Sequence, residues 1–280
     1  MSFTARCKVF VMVLATAAAI AAVAHSHRSA RTVDGVISTR AGALHYEVYL
    51  PADYDTSTLR YPVLYFLHGL PAGPYAFQSF TWLEHALDAA GKPAILVLPQ
   101  GARGNESDPE YLDHGAGHNW ATAISVDLPR AIDGKFRTIA TRGGRGIIGL
   151  SAGGYGAMHL AFLHLPMYAA VESWSGYFHP TDPTGTQLLD LGSSARNATA
   201  NVHRQALEAR LDKLPLYIAF YVGKSDPIFV DENEELNQEL SAAGISHVFR
   251  IYPGGHSQTL WASQAPAWLT LALNHLAPPR

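Results

Sequence analysis

Arg145-Gly146-Ile147-Ile148-Gly149-Leu150-Ser151-Ala152-Gly153-Gly154-Tyr155-Gly156-Ala157-Met158-His159-Leu160-Ala161 is the stretch on which the reading of this chain turns. An apolar run of strand length, Gly146–Leu150, passes without a linker into a segment of helical character, Gly153–His164. Ser151 stands at the junction. A serine between a buried strand and a helix lies on a sharp turn, and glycines at 149 and 153 permit the strained backbone and the close helix approach that such a turn demands. Its hydroxyl is thereby aimed out of the end of a sheet. A bare G-x-S-x-G match is weak on its own; the strand before it and the helix after it give it meaning.

Working outward, short β-branched and aromatic runs alternate with longer helical ones, the pattern of an α/β domain. The spacing predicts strands at Val33–Ser38, His45–Leu50, Tyr61–Leu67, Ala94–Pro99, Gly146–Leu150, Ala169–Trp174, Leu216–Val222 and His247–Tyr252. It predicts helices at Phe77–Ala90, Ala121–Phe136, Gly153–His164, Asp231–Ala243 and Thr259–Leu276. The first two strands are close enough to be antiparallel, and the later ones are separated by helix-sized segments, as parallel strands require. The expectation is a mostly parallel central sheet of about eight strands with helices on both faces. Two long irregular connections, Gly101–Asn119 and Gly176–Leu214, break the rhythm, and such connections tend to carry function.

A serine hydroxyl is a poor nucleophile near neutral pH and needs a base, with a carboxylate to orient it. Of 14 histidines, His256 in Tyr252-Pro253-Gly254-Gly255-His256-Ser257 lies in a glycine-rich turn after the last predicted strand. That is the end of an open sheet where ligands gather. Tyr221-Val222-Gly223-Lys224-Ser225-Asp226-Pro227 presents Asp226 after the preceding strand, in the chain order Ser, Asp, His. Asp226 also reads as a turn residue ahead of proline, and Asp231, Glu232, Glu234 and Glu235 on the next helix are alternative acids. For the oxyanion of acyl chemistry, the N–H of Ala152 is one donor. The His68-Gly69-Leu70 loop offers the N–H of Leu70 as the other, with Gly69 as its fallback. His68 itself reads equally as a residue that stiffens this loop.

Composition bounds the rest. The 280 residues suit one large catalytic domain, and 48% hydrophobic against 15% charged residues describe a folded chain. A net charge of -3 without any Lys/Arg-rich run argues against nucleic acid. Arg6 and Lys8, the uncharged run Val9–Ala24 and the small residues Ala22-Val23-Ala24 compose a signal peptide over residues 1–24. A membrane anchor is the alternative, although the run is short for a span of about 20 residues. A short linker, 25–32, then leads to the catalytic domain, 33–280. Cys7, the one cysteine, precedes the run, which removes thiol nucleophiles, disulfides and thiolate metal sites from the mature domain.

Leu67-His68-Gly69-Leu70, Gly149-Leu150-Ser151-Ala152-Gly153-Gly154, Gly223-Lys224-Ser225-Asp226 and Gly254-Gly255-His256-Ser257 with Trp261 together resemble the "Putative esterase" family of α/β-hydrolases. That family includes esterase D, feruloyl esterases and the antigen 85 mycolyltransferases. The resemblance runs from about Val33 to the C-terminus. It implies an α/β-hydrolase fold without a cofactor, and hydrolysis of, or acyl transfer from, small-molecule, lipid or glycolipid esters. It places Ser151 as nucleophile, His256 as base, and Leu70 and Ala152 as oxyanion-hole amides. It leaves the acid open, because the esterases match Asp226 whereas the mycolyltransferases use a glutamate on the next helix, keeping Glu232, Glu234 and Glu235 in play.

The expectation is therefore an exported serine carboxylic-ester hydrolase, secreted or held at the cell envelope. A sugar-directed acyltransferase is its near rival, and a non-catalytic envelope binding protein is a rival from another class. Tyr111, His114, His118 and Trp120, with His68, read as a wall of the substrate cleft or else as an ordinary wet loop. Asp113, His114 and His118 lack the fixed face a metal site needs, so no metal is expected. Gly143, Gly144 and Gly146 precede a strand, the wrong order for a phosphate-binding turn. The sequons at Asn105 and Asn197 matter only in a glycosylating host. Leu188 and Leu189 are expected to shape an acyl pocket.

Overall fold

Runs such as Val63–Leu67 and Ile95–Pro99 are buried along their whole length, and a strand without a polar face needs cover on both sides. The computed structural model, which describes residues 31–70, 76, 80–102, 108, 111–182, 187–226 and 228–280, shows that cover. The predicted leader, most of the linker and the Asn105 sequon lie outside the described residues. Among the described residues no helix is long and apolar enough to cross a membrane.

Eight strands, β1 (Arg31–Thr39), β2 (Gly42–Leu50), β3 (Val63–Leu67), β4 (Ile95–Pro99), β5 (Arg145–Leu150), β6 (Ala170–Trp174), β7 (Tyr217–Gly223) and β8 (Val248–Tyr252), form one sheet in the order β1-β2-β4-β3-β5-β6-β7-β8. The β1–β2 and β2–β4 pairs are antiparallel and the others parallel. This is the α/β-hydrolase architecture that the resemblance implies.

Side chains alternate across the sheet with period two. Val63, Tyr65, Leu67, Ile147, Val171, Ile218 and Phe220 enter one core layer, and Leu64, Phe66, Ile148, Leu150, Trp174 and Tyr221 enter the other. Helices α1 (Thr81–Ala90) and α8 (Gln258–Asn274) cover the second layer. The first layer lies under α2 (Trp120–Thr122), α3 (Leu128–Lys135), α4 (Ala152–Leu163), α6 (Val202–Glu208) and α7 (Val230–Ala242), with α5 (Ser194–Ala200) alongside α6. Helix α4 is buried on nearly every side, which accounts for its all-round apolar and glycine composition.

Two expectations change. The helix predicted over Ala121–Phe136 is interrupted by a π-helical turn, Ala123–Asp127, in which the Leu128 N–H bonds to Ala123 O. Ser125 Oγ donates to Ala121 O at 2.5 Å, and Pro129 has no N–H to offer Ser125, so regular i to i+4 bonding fails at this point. The Gly176–Leu214 connection is not wholly irregular, because it holds α5 and α6. Each is seven residues long, and their N-terminal N–H groups are capped by the side chains of Ser193 and Asn201.

The sheet order positions the site. From β3 the chain crosses by α1 on one face to β4, whereas from β5 it crosses by α4 on the other face to β6. Beyond the carboxyl ends of β3 and β5 the two connections diverge and leave a crevice, the place where open α/β sheets bind ligands. The His68 loop and Ser151 emerge there.

Candidate active site

Ser151 has φ 53° and ψ -122°, a conformation that costs an L-residue of order 1–3 kcal/mol and persists only when its surroundings enforce it. They do. Its N–H is held by Trp174 O at 2.9 Å, and its carbonyl accepts from the Gly154 N–H at 2.8 Å. A Cβ on Gly149 would collide with the backbone of Gly153, and a Cβ on Gly153 with the Leu67 carbonyl. Only glycine lets strand and helix meet at this angle.

The Ser151 hydroxyl donates to His256 Nε2 at 3.0 Å, and His256 Nδ1–H donates to Asp226 Oδ2 at 2.9 Å. Asp226 is fully buried, and its Oδ1 accepts from the N–H groups of Ile228 (3.1 Å) and Phe229 (3.2 Å). Burial pushes its pKa upward, but the bond and charge of His256 and the two backbone N–H groups outweigh it and hold the carboxyl below its ordinary value. The carboxylate therefore stays ionised behind the imidazole.

Two loops that are distant in sequence are tied into one support. Lys224 N–H bonds to Tyr252 O and Ser225 N–H to Gly254 O, both at 2.8 Å, so the turn bearing Asp226 is fastened to the turn bearing His256. Gly254 takes φ 120°, and a side chain at Gly223 would run into its carbonyl. The His256 ring meets Trp261 edge-on, with centroids 4.9 Å apart, and Phe229 at 5.3 Å. Trp261 is in turn fixed by donating from Nε1 to Ser175 Oγ at 3.0 Å.

The side on which the oxyanion amides are expected is as closely built. A Cβ on Gly69 would lie 3.0 Å from the Ser151 Cβ, so the loop backbone passes directly over the Ser151 side chain. Ala152 opens α4, where the N–H groups of a first turn have no carbonyl partner within the helix. Buried His68 stiffens the loop: Nδ1–H donates to Gly69 O at 2.7 Å and Nε2 accepts from the Gly101 N–H at 3.1 Å. Burial lowers its pKa, only partly opposed by the bond to Gly69, which favours this neutral form. Ser151, His256, His68, Gly69 and Leu70 line a cavity of about 350 Å³, walled further by Ala76, Phe80, Trp82, Leu150, Gln258 and Trp261.

Other expected residues lie elsewhere. Glu232 accepts from Phe178 N–H at 2.8 Å and from His179 at 2.7 Å and does not pair with His256. Burial would raise its pKa, yet the bonds from His179 and Phe178 and the neighbouring His203 imidazole hold it at about 2. Glu234 and Glu235 are exposed on α7. Tyr111 and Trp120 are buried in the core, His118 pairs with Asp108, and none of the three lines the cavity; the expected cleft wall is corrected accordingly. Tyr111 is instead a hidden brace, lying against Gly101 and Gly156 and donating from its hydroxyl to His68 O at 2.5 Å. Buried Asp108, missed in the sequence, takes His118 Nδ1 and Trp120 Nε1, each at 2.6 Å. Leu188 and Leu189 line a separate cavity of about 490 Å³ with His179 and Arg204. The Thr181–Leu188 bridge closes that segment on itself, and Asn197 and Ala198 of α5 and Arg204 of α6 supply more of the cavity wall.

The fold and this arrangement define an α/β-hydrolase. Residues 39–270 match the family model described as "Putative esterase", and the chain belongs to that family. Esterase Rv1288 of Mycobacterium tuberculosis (strain ATCC 25618 / H37Rv) is 31% identical over 235 residues, covering 75% of this chain and 51% of that protein. This chain thus spans about half the length of the curated relatives it matches first. Among solved structures, a ferulic acid esterase is 25% identical with a TM-score of 0.73, covering 89% of this chain and all of that one. An S-formylglutathione hydrolase from Agrobacterium tumefaciens shares the fold at 18% identity, with a TM-score of 0.74 and coverage of 89% and 97%.

Proposed function

We propose that this chain is a serine carboxylic-ester hydrolase that works through an acyl-enzyme. The observation that carries this reading is the line from Asp226 through His256 to the Ser151 hydroxyl, at the mouth of a cavity. Ser151 Oγ adds to the ester carbonyl while His256 Nε2 takes its proton. The N–H groups of Leu70 and Ala152 receive the oxyanion. His256 returns the proton to the alkoxide as the carbon–oxygen bond breaks, and the alcohol departs. Water, deprotonated by the same imidazole, then adds to the acyl-enzyme and releases the acid and Ser151. Asp226 keeps the imidazole in the productive tautomer and stabilises its cation without itself taking the proton.

The cavity suits a compact or aromatic acyl group, because its volume is modest and Phe80, Trp82 and Trp261 form much of its wall. Transfer of the acyl group to a sugar hydroxyl is the second reading, supported by the family resemblance. Export through the leader belongs to the same proposal, and N-terminal sequencing of the secreted protein beginning at His25 is its check.

The test is hydrolysis of p-nitrophenyl esters from acetate to palmitate by the chain from His25 onward, beside Ser151→Ala. Activity highest on short or aromatic esters and lost in the variant is the expected result. Equal rates in both proteins would remove Ser151 from the mechanism. Formation of an acyl-trehalose in preference to free acid would move the assignment to the transferase.

A further inference from the structure

The connection between β6 and β7 brings a second polar cluster together, separate from Ser151. His179 follows β6, His203 lies on α6 and Glu232 on the first turn of α7, and one ligand-type atom from each falls within 4.8 Å of the others. His179 Nδ1 is 2.7 Å and His203 Nε2 is 3.7 Å from the same oxygen, Glu232 Oε1. Glu239, on α7, grips His203 from behind, with Nδ1 2.6 Å from its Oε2. A carboxylate can only accept there, so the Nδ1 proton is fixed and Nε2 is turned toward Glu232.

His203 is only 7% exposed, and its buried Nε2 has no hydrogen-bond partner. A buried nitrogen lone pair facing a carboxylate oxygen is doubly unfavourable, through lost hydration and through repulsion. The gap between them is complementary to a positive charge, either a proton on Nε2 or a metal ion.

We propose that His179, His203 and Glu232 bind one divalent transition-metal cation, zinc by donor chemistry, with Glu239 orienting His203 behind it. Two imidazoles and one carboxylate, with water in the fourth position, are a zinc donor set, and a carboxylate on the far nitrogen of a ligand histidine raises its basicity and fixes its ring. Bonds of about 2.0–2.1 Å at tetrahedral angles place ligand atoms about 3.3 Å apart. The observed 2.7 and 3.7 Å straddle that value, so small side-chain rotations close the shell. Calcium and magnesium demand more oxygen ligands than this cluster offers. The His179 side chain is 36% exposed and provides the way in.

The three ligands come from three segments, so the cation clamps the β6–β7 connection onto α7. The turn before α7 carries Asp226 and Phe229, both of which touch His256. The role is structural, and it does not depend on which ester is cleaved.

The experiment is calorimetric titration of the chelator-treated full chain with zinc at neutral pH, with thermal melting in parallel. The variants are His179→Ala, His203→Gln and Glu232→Gln; the first removes a partly exposed side chain and so keeps the proposal testable if a buried change impairs folding. One zinc per chain is expected, with Tm rising on the order of 5 °C at about 100 times Kd and no response to magnesium. His179→Ala is expected to weaken zinc binding at least about tenfold. Unchanged binding in His179→Ala and Glu232→Gln would overturn the proposal by placing zinc on other histidines. Absence of zinc binding in the wild type would do so by leaving a proton as the sole occupant.

Discussion

Two groupings of histidine and carboxylate, similar in composition, adjoin the start of α7, one around Asp226 just before the helix and one around Glu232 on its first turn, and are built for different tasks. At Asp226 a single imidazole meets a fully buried carboxylate whose other oxygen is taken by two backbone N–H groups. The ring's far nitrogen faces a hydroxyl. Both carboxylate oxygens and the imidazole Nε2 there each have at least one proton to hold, and the imidazole is free to pass one on. At Glu232 two imidazoles converge on one carboxylate oxygen, and the far nitrogen of His203 is secured by a second carboxylate. That grouping has a surplus of acceptors. The residue types alone do not distinguish a proton relay from a cation holder; the count of donors and acceptors does.

The largest effect that tests this contrast is at the nucleophile. Ser151→Ala is expected to lower kcat on p-nitrophenyl acetate by about 10⁴ to 10⁶-fold, with the fold retained by circular dichroism. Next, Asp226→Asn should cost about 10³ to 10⁴-fold by leaving the imidazole in the wrong tautomer, whereas Glu232→Gln should leave kcat within about threefold. Comparable losses in the two would erase the distinction between the groupings. Asp226 also has a signature in stability. Because its folded pKa lies below the ordinary value of 3.8, its contribution is present above that pH and is lost as pH falls through the folded value. The difference in Tm between wild type and Asp226→Asn should accordingly shrink in strong acid.

A smaller effect is expected at the oxyanion side. Tyr111→Phe deletes the bond to His68 O and should cost about 1 kcal/mol of stability in chemical denaturation, with a several-fold fall in kcat and little change in KM. The smallest concerns Glu172, a third buried carboxylate, which has no histidine partner among the described residues. Burial lifts its pKa to about 8, against the opposing bonds from Trp174 and Tyr221. With the folded pKa above the ordinary 4.5, its stabilising contribution is full below that pH and disappears as pH rises to about 8. Glu172→Gln should therefore melt higher relative to wild type at pH 9 than at pH 5, with the rate on p-nitrophenyl acetate unchanged. A constant difference in Tm would deny the raised value.

The sharp turn at Ser151, the proposed nucleophile, was legible because everything that defines it is local: a strand, two obligatory glycines and a helix within a dozen residues. The carboxylate that pairs with His256 was only half legible. Asp226 and Glu232 both follow β7 in acceptable order, and what separates them is the pair of hydrogen bonds joining the 223–226 turn to the 252–254 turn, a long-range pairing that no spacing records. Tyr111 and Trp120 misled because aromatic residues in a long connection suit either a cleft or a core. The glycines at 101 and 156 that make room for Tyr111 lie far from it or on another element. Helices α5 and α6 escaped notice for want of length, although Ser193 and Asn201 were readable caps. The His179–His203–Glu232 cluster carries no motif at all, since each member arrives on a different segment.

The cavity walls divide the chain's freedom to change. On one side, the elbow glycines and the backbone they press against tolerate no added atom. On the other, Phe80 and Trp82 at the head of α1, and Gln258 and Trp261 at the head of α8, are side chains presented by two helices that pack on each other across the same core layer. For the hydrolase proposed above, substrate preference can therefore drift, or be redesigned, by exchanging this helix pair as a cassette, while the reaction itself stays locked in the strand ends beneath.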